Sequence, residues 1–406
     1  MTLSLRVRTL GRAMSNTRSL HTVSASTKNV GELLTAVRDA LSGGPAVLPL
    51  PEGPEPYRTS LLGSLRPDMP LEKDAAFVVP TSGSTGEPKG ALLSAAAVHA
   101  SVSATHIRLG GPGRWLLALP PTHVAGLMVL ARSVATGSDP LILDVSAGFD
   151  PEGFAATSIR LFAESRGRRY TSLVPKQLAA IVAAGDCALE ALAAYDAVLL
   201  GGSAAAPDLI AQARAAGVHL VATYGMTETC GGCIYDGVPL DGVKVEIGTD
   251  GRIRLAGPML ASGYRLRPDL TSDAFAHGWF ITSDAGRLDA EGRLHVIGRV
   301  DDMAITGGVN VPLAAVDAAV ASHPDIIDGC AVALPDAEWG ERIVVAIVAG
   351  TDGPPSLESV RAHVMKSLPT AYAPKELIVV DTLPLLSGQK VDRQAVTTSL
   401  LEGFAG

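Results

Sequence analysis

An α/β chain with more than one domain is predicted by three observations. Short apolar runs alternate with alanine-rich helical stretches through the first three-quarters of the chain. Glycine- and hydroxyl-rich loops stand at the ends of several runs, and the pattern changes near residue 240 and again near residue 300. Strand–helix–strand succession argues for a mostly parallel sheet, with ligands bound at the carboxyl ends of its strands. A chain of 406 residues is also too long for one ordinary core.

The elements follow in order. Before Glu32 there are no acids, but Arg6, Arg8, Arg12, Arg18 and Lys28 stand among many Ser and Thr. That composition fits a transit peptide or, the duller reading we favour, a start read too early with Met14 as the true one. Residues 1–30 are therefore expected to form a poorly ordered extension. Residues 75–79 read as a buried strand that runs into a glycine-rich loop, and Ser94 as the N-cap of a helix reaching about residue 107. A strand at 115–119 ends at Pro120-Pro121, and another at 197–200 runs into Gly201-Gly202-Ser203. Pro207 opens a helix over 208–216, and the strand 219–222 ends at Thr223-Tyr224-Gly225. Residues 240–297 hold short alternating runs with Asp-Gly and Glu-Gly turns, which predicts a small antiparallel β-module. A separate α/β pattern follows, with helices at 311–321 and 356–367 and strands at 329–333 and 343–348. The expected division is 31–298 for a large N-terminal domain, 299–302 for the junction and 303–406 for a small C-terminal α+β domain.

Composition excludes several classes. The net charge is −8 without a polybasic block, which argues against nucleic acid or an anionic membrane as the main partner. The richest apolar stretch, 115–130, is broken by Pro120, Pro121 and His123, so no transmembrane helix is expected. Cys230-Gly-Gly-Cys233 has the spacing of a redox pair or half a zinc site, but no second pair lies at a matching distance. Reduced, partly buried thiols are the expectation there.

The loop at 81–90 carries the most chemistry. It reads Thr81-Ser82-Gly83-Ser84-Thr85-Gly86-Glu87-Pro88-Lys89-Gly90. Unshielded backbone N–H groups, hydroxyl donors and a lysine make a cradle for an oligophosphate. A flexible surface loop has a similar composition. A Walker A loop is a poor fit, because it needs Gly-Lys-Ser/Thr entering a helix and Lys89 is followed by Gly90.

Four more segments follow in order: Tyr224-Gly-Met-Thr-Glu-Thr229, Trp279-Phe-Ile-Thr-Ser-Asp284, Gly298-Arg299-Val-Asp301-Asp302 and Pro384-Leu-Leu-Ser-Gly-Gln-Lys390-Val-Asp-Arg393. Over roughly residues 75–395 this order resembles the adenylate-forming enzymes: acyl- and aryl-CoA ligases, adenylation domains of peptide synthetases, and luciferases. The resemblance implies ATP, Mg²⁺ and CoA as cofactor and co-substrates. It assigns Ser82, Gly83, Ser84, Thr85, Gly86 and Lys89 to the β- and γ-phosphates, and Thr81 to the nucleotide site. Tyr224 would stack on adenine, with Gly201, Gly202 and Ser203 lining the base and acyl pocket, Gly225 and Met226 in the nucleotide site, and Gly225 also at the acid. Thr227 would donate to the α-phosphate, Glu228 would ligate Mg²⁺, and Asp284 and Arg299 would bind the ribose. Lys390 would bridge the two reacting anions. Asp301 stands where the pivot of a mobile C-terminal domain lies, and Gly307-Gly308 matches the loop that lines a pantetheine channel.

Substrate specificity is read from residues 119–133, with His123 and Arg132, and from Thr171–Gln177, Leu200–Pro207 and 224–240. These are similar to the o-succinylbenzoate–CoA ligases of menaquinone biosynthesis, short actinobacterial type. Such a substrate has one carboxylate to activate and a second to anchor, and His123, Arg132 and Ser203 are the candidate anchors. Another aryl- or acyl-CoA ligase, a stand-alone adenylation enzyme serving a carrier protein, or a non-catalytic nucleotide-binding protein are the alternatives. A cytoplasmic enzyme with small-molecule partners is expected; the sequence leaves its oligomeric state open, a homodimer among the options. The chain departs from the family pattern at Ser283 and Gln389, where glycine is usual, and only about eighty residues precede the phosphate loop.

Overall fold

The computed structural model of the chain describes residues 18–52, 55–71, 73–82, 88–350, 353–385 and 391–404. Four strands open the fold in the order β1 (Leu20–Ser24), β2 (Ala46–Leu50), β3 (Phe77–Ser82) and β4 (Pro88–Leu93). The first three run parallel, and β4 returns antiparallel to β3. A paired strand thus stands within residues 1–30, where a poorly ordered extension was expected. Leu20 and Val23 are buried against β2, and Ser26 caps the turn leading into α1 (Val30–Leu41). Leu20 and Val23 face opposite sides of the sheet, each into its own core, and burial beside a parallel partner outweighs the basic and hydroxylic composition around them. Residues 1–17 lie outside the described residues.

The second sheet has seven strands, ordered β11-β10-β9-β8-β7-β5-β6. These are β5 (Gly113–Leu117), β6 (Leu141–Ile142), β7 (Arg168–Leu173), β8 (Ala197–Leu200), β9 (Leu220–Met226), β10 (Gly231–Tyr235) and β11 (Val238–Pro239). β5 to β9 are parallel, and β10 and β11 close one edge antiparallel. Alternation along β5 sends Trp115 and Leu117 to one face and Leu116 to the other. The first face packs on α1, α3 (Ala95–Arg108) and α4 (Val124–Ala135), which also cover the first sheet. The second packs on helices at Pro151–Glu164, Pro175–Ala184, Asp186–Ala193 and Pro207–Ala215. Ser94 caps α3 by accepting from the Ala97 amide at 3.1 Å, as its sequence position foretold.

The β-module is as expected: β12 (Lys244–Ile247), β13 (Arg252–Ala256), β14 (Phe275–Ala276), β15 (Trp279–Leu288) and β16 (Leu294–Arg299) are all antiparallel. A last sheet holds β17 (Met303–Thr306), β18 (Val309–Pro312), β19 (Ile326–Asp336), β20 (Gly340–Ala349) and β21 (Glu376–Val379). Helices Leu313–Ala321 and Leu357–Val364 cover one face of it, and Arg393–Phe404 covers the other. Among the described residues no helix is long and apolar enough to cross a membrane.

Candidate active site

The glycine-rich loop joins two strands as a hairpin. Thr81 pairs with Lys89 and Ser82 with Pro88 in the β3–β4 register. Gly83, Ser84, Thr85 and Gly86 lie outside the described residues. At the mouth of the loop Thr81 Oγ1 is buried with no hydrogen-bond partner among the described residues. Lys89 reaches inward: its Nζ is 3.7 Å from Glu228 Oε1 and 4.0 Å above the ring of Tyr264. Burial pulls the Lys89 pKa down; Glu228 pulls it back up, and the nearby cations Arg299 and Arg267 add to the lowering. A partly desolvated ammonium of this kind gains much from an incoming phosphate.

Glu228 sits in a single 3-10 turn, Thr227–Thr229, at the carboxyl end of β9. Thr229 builds that turn: its Oγ1 accepts from the Met226 amide at 2.9 Å and donates to the Gly231 carbonyl at 2.7 Å. Cys230 then takes a left-handed φ of 51°, and Ser101 Oγ fixes its carbonyl at 3.0 Å. Gly225 has a structural reason to be glycine. A Cβ there would stand 2.2 Å from the Gly231 carbonyl oxygen and 2.7 Å from Gly232 Cα. Glu228 is 7% exposed, and Tyr264 Oη donates to its Oε1 at 2.7 Å. Burial, with Glu228 as neighbour, pushes the Tyr264 pKa up, so the phenol stays a donor.

Tyr224 and Asp284 meet across the junction between β9 and the β-module. Tyr224 Oη donates to Asp284 Oδ2 at 2.7 Å, and burial followed by Asp284 raises the Tyr224 pKa. Thr282 Oγ1 accepts from the Asp284 amide at 3.0 Å and Asp284 is in register with Arg299. Gly201 and Gly202 follow β8. A Cβ on Gly201 would meet Thr223 Oγ1 at 2.5 Å, while Gly202 has φ +88° and Ser203 is exposed. The structure therefore gathers Thr81, Lys89, Gly201, Gly202, Ser203, Tyr224, Gly225, Met226, Thr227, Glu228, Asp284 and Arg299 around the carboxyl ends of β3, β8 and β9 and the adjoining β15–β16 pair.

One of the expected anchors, Arg132, lies apart from this group. His123 is the exposed N-cap of α4, at the carboxyl side of β5. Arg132 lies in the last turn of that helix, about 13 Å further along its axis. Its guanidinium is 3% exposed and lies 5.0 Å from the Trp115 ring centroid. The neighbouring Tyr170 hydroxyl bonds the carbonyls of Leu109 and Gly111, which precede β5. Arg132 thus sits toward the opposite edge of the sheet from His123. Its Nε has no hydrogen-bond partner and no acid pairs with it among the described residues.

In the C-terminal domain Gly307 and Gly308 form the β17–β18 turn with φ +58° and +76°. The Gly307 amide donates to the Trp339 carbonyl at 2.9 Å, and a Cβ at 307 would stand 3.0 Å from the Trp339 ring. Lys390 lies outside the described residues, as does the side chain of Asp301. Arg393, three positions on, is fastened: it pairs with Asp317 at 2.6 Å and Asp302 at 3.4 Å, and donates to the Ala331 carbonyl. Cys230 and Cys233 are fully buried free thiols rather than partly buried ones, and burial raises the Cys233 pKa to about 12. The residue the sequence reading missed is Tyr264. Its signal was faint: an aromatic between glycine and arginine, in a stretch without clear periodicity.

Residues 16–265 match the AMP-binding enzyme family and residues 315–390 the C-terminal domain of AMP-binding enzymes. The chain belongs to the AMP-binding enzyme family. It is 48% identical over 395 residues to a probable 2-succinylbenzoate–CoA ligase of Mycobacterium tuberculosis, covering 96% of this chain and 99% of that protein. It is 32% identical over 356 residues to a medium/long-chain-fatty-acid–CoA ligase of the same organism, covering 80% of this chain and 61% of that one. The fold matches that of o-succinylbenzoate CoA synthetase from Bacillus subtilis, solved with its acyl-adenylate intermediate, at a TM-score of 0.75. That match covers 93% of this chain and 82% of the other at 24% identity, and speaks for the fold.

Proposed function

We propose that the chain is an AMP-forming 2-succinylbenzoate–CoA ligase acting in menaquinone biosynthesis. A carboxylate resists attack by a thiol because its oxygen is a poor leaving group. Attack of one substrate carboxylate on the α-phosphorus of ATP forms the acyl–AMP bond and expels pyrophosphate. The CoA thiol then takes the acyl group, and AMP leaves. The observation that carries the adenylation is the joining of Lys89 on β4, Tyr264, Glu228 just after β9 and the Tyr224–Asp284 pair between β9 and β15. The choice of acid is supported by the 48% identity over nearly the whole of both chains.

The residues present fit Mg²⁺–ATP. Glu228 Oε2 makes no hydrogen bond among the described residues, and one carboxylate with phosphate oxygens is ordinary coordination for Mg²⁺. When bound, that cation supplies charge neutralisation on the phosphates. Lys89 and the backbone of residues 81–86 hold the β- and γ-phosphates, and Thr227 donates to the α-phosphate. Asp284, held by Tyr224, and Arg299 take the ribose hydroxyls. Lys390 brings the acid carboxylate to the α-phosphate. The C-terminal domain pivots at Asp301 to exchange Lys390 for the Gly307-Gly308 loop, beside which pantetheine enters. His123 and Ser203 remain as anchors for the second carboxylate. The reading places a homodimer in the cytoplasm, and light scattering after size-exclusion chromatography tests the dimer.

Pyrophosphate release against a panel of acids, with and without CoA, tests the reading. The expected result is release with 2-succinylbenzoate and AMP formation that needs CoA. Preference for fatty acids, which the 32%-identical relative makes the second reading, overturns the substrate. An adenylate that CoA does not discharge, with neither acyl-CoA nor AMP released on its addition, overturns the ligase.

A further inference from the structure

We infer that Tyr264 is the positioning residue for the Glu228 carboxylate, holding Oε1 so that Oε2 is turned to the cation and phosphates. The inference rests on the reading of Glu228 as the Mg²⁺–ATP acid. Among the described residues the Tyr264 hydroxyl, at 2.7 Å, is the one hydrogen-bond donor to that carboxylate, and Lys89 at 3.7 Å is its one ionic neighbour. A carboxylate only 7% exposed is costly unless bonded, so it stays where these two groups hold it.

Tyr264 is itself held from several sides. Its backbone bridges Ala91 of β4, and the following Arg265 amide donates to the Gly90 carbonyl at 2.8 Å. The Arg265 guanidinium, 1% exposed, binds the carbonyls of Met69 at 2.7 Å and Pro70 at 3.2 Å, and further carbonyls at the end of α2 (Glu55–Leu65). The Tyr264 amide donates to Thr271 Oγ1 at 2.9 Å, and its ring packs edge-on to Phe275 at 5.7 Å. The Glu228 carbonyl accepts from the Ala261 amide at 2.8 Å. The segment 261–265 therefore stitches the strand that bears Lys89 to the turn that bears Glu228. Tyr264 is the side chain through which that rigidity reaches the carboxylate. The ring has a second use: Lys89 lies 4.0 Å over it, which keeps the ammonium beside the acid without a close bond that an incoming phosphate would have to break.

Tyr264→Phe removes the hydroxyl and keeps the ring. The test is binding of Mn²⁺ with a non-hydrolysable ATP analogue, read by electron paramagnetic resonance, together with both half-reactions and the melting temperature. The expected result is an affinity for the Mn²⁺–nucleotide pair weakened about tenfold, the loss of one hydrogen bond to a charged group. Adenylation slows while thioester synthesis from preformed acyl-AMP is unchanged. Unchanged Mn²⁺–nucleotide affinity in Tyr264→Phe overturns the inference while leaving the function standing. Equal slowing of both half-reactions also overturns it, as it marks a merely structural role. Failure of the wild type to bind Mn²⁺ with the analogue overturns the reading of Glu228, and the inference with it.

Discussion

Replacing Arg132 by methionine should leave the affinity for the acid unchanged and should not weaken the fold. The side chain is 3% exposed, its Nε is unpartnered, and no acid faces it among the described residues. Burial pulls its pKa down, the mark of a charge that the surroundings disfavour. The effective cost of burying an ion is several kcal/mol. Against this stands the Trp115 ring, 5.0 Å from the guanidinium carbon, and a desolvated cation–π contact contributes about 2 kcal/mol. Methionine has a similar reach and bends to fill irregular space. The net expectation for Arg132→Met is a gain of roughly 1–3 kcal/mol, a melting temperature raised by roughly 2–6 °C.

Two assays read this together: urea unfolding of the variant, and KM for the acid and for ATP from pyrophosphate release. The reasoning is refuted in part by a loss of stability above about 1 kcal/mol, which would mean that the guanidinium has partners worth more than its desolvation. It is refuted outright by a tenfold rise in KM for 2-succinylbenzoate with KM for ATP unchanged. That result would bring Arg132 to the acid, against a helix that carries it about 13 Å from His123.

The remaining predictions concern neighbours of the same elements. His106, near Arg132, has its pKa lowered by burial and by that cation from 6.5 to about 4. Between those values the unfolded chain binds a proton that the folded chain refuses, so stability falls as pH drops from about 6.5 to about 4 and is flat above. His106→Gln should flatten the urea midpoint over that window, and Arg132→Met should move the His106 NMR titration upward. Gly225→Ala sets a methyl against backbone at 2.2 Å, where no side chain can yield. It should cost about 3 kcal/mol by urea unfolding and lower adenylation, because the β9–β10 pairing must open beside Glu228. Lys390→Ala should slow pyrophosphate release by about 10²–10³ while sparing thioester synthesis from preformed acyl-AMP; equal loss of both removes Lys390 from its assigned place.

What the sequence revealed of the fold follows from how local its causes are. The strand end bearing Gly201-Gly202 was legible because a parallel sheet presents its loops at one edge and glycine marks close backbone approach, whereas Tyr224-Gly225, expected beyond a strand ending at 222, lies inside β9 because β10 pairs with it. The Ser94 cap and the antiparallel module were legible for the same reason: a cap and a hairpin are set by neighbouring residues. Leu20–Ser24 was not, because a strand paired with β2 gets its stability from Ala46–Leu50, which composition near the N-terminus does not show.

The candidate site divides along a similar line. Phosphates demand one arrangement of amides and cations, so the residues that meet them stand in short segments with fixed spacing. The acid pocket makes no such demand. Arg132 had the right charge and followed His123 in a suggestive stretch, but helix length decided its place: nine positions at 1.5 Å each carry a side chain to the other edge of a sheet. Tyr264 shows the converse. It stands 36 positions from Glu228 in the chain, and tertiary pairing of its segment with Ala91, Gly90 and the Glu228 backbone brings its hydroxyl to the carboxylate. A residue that acts through another leaves no spacing to read. Side chains that choose the acid, like those that position the machinery, are therefore to be sought among residues which tertiary pairing gathers, beginning with those that face His123 and Ser203.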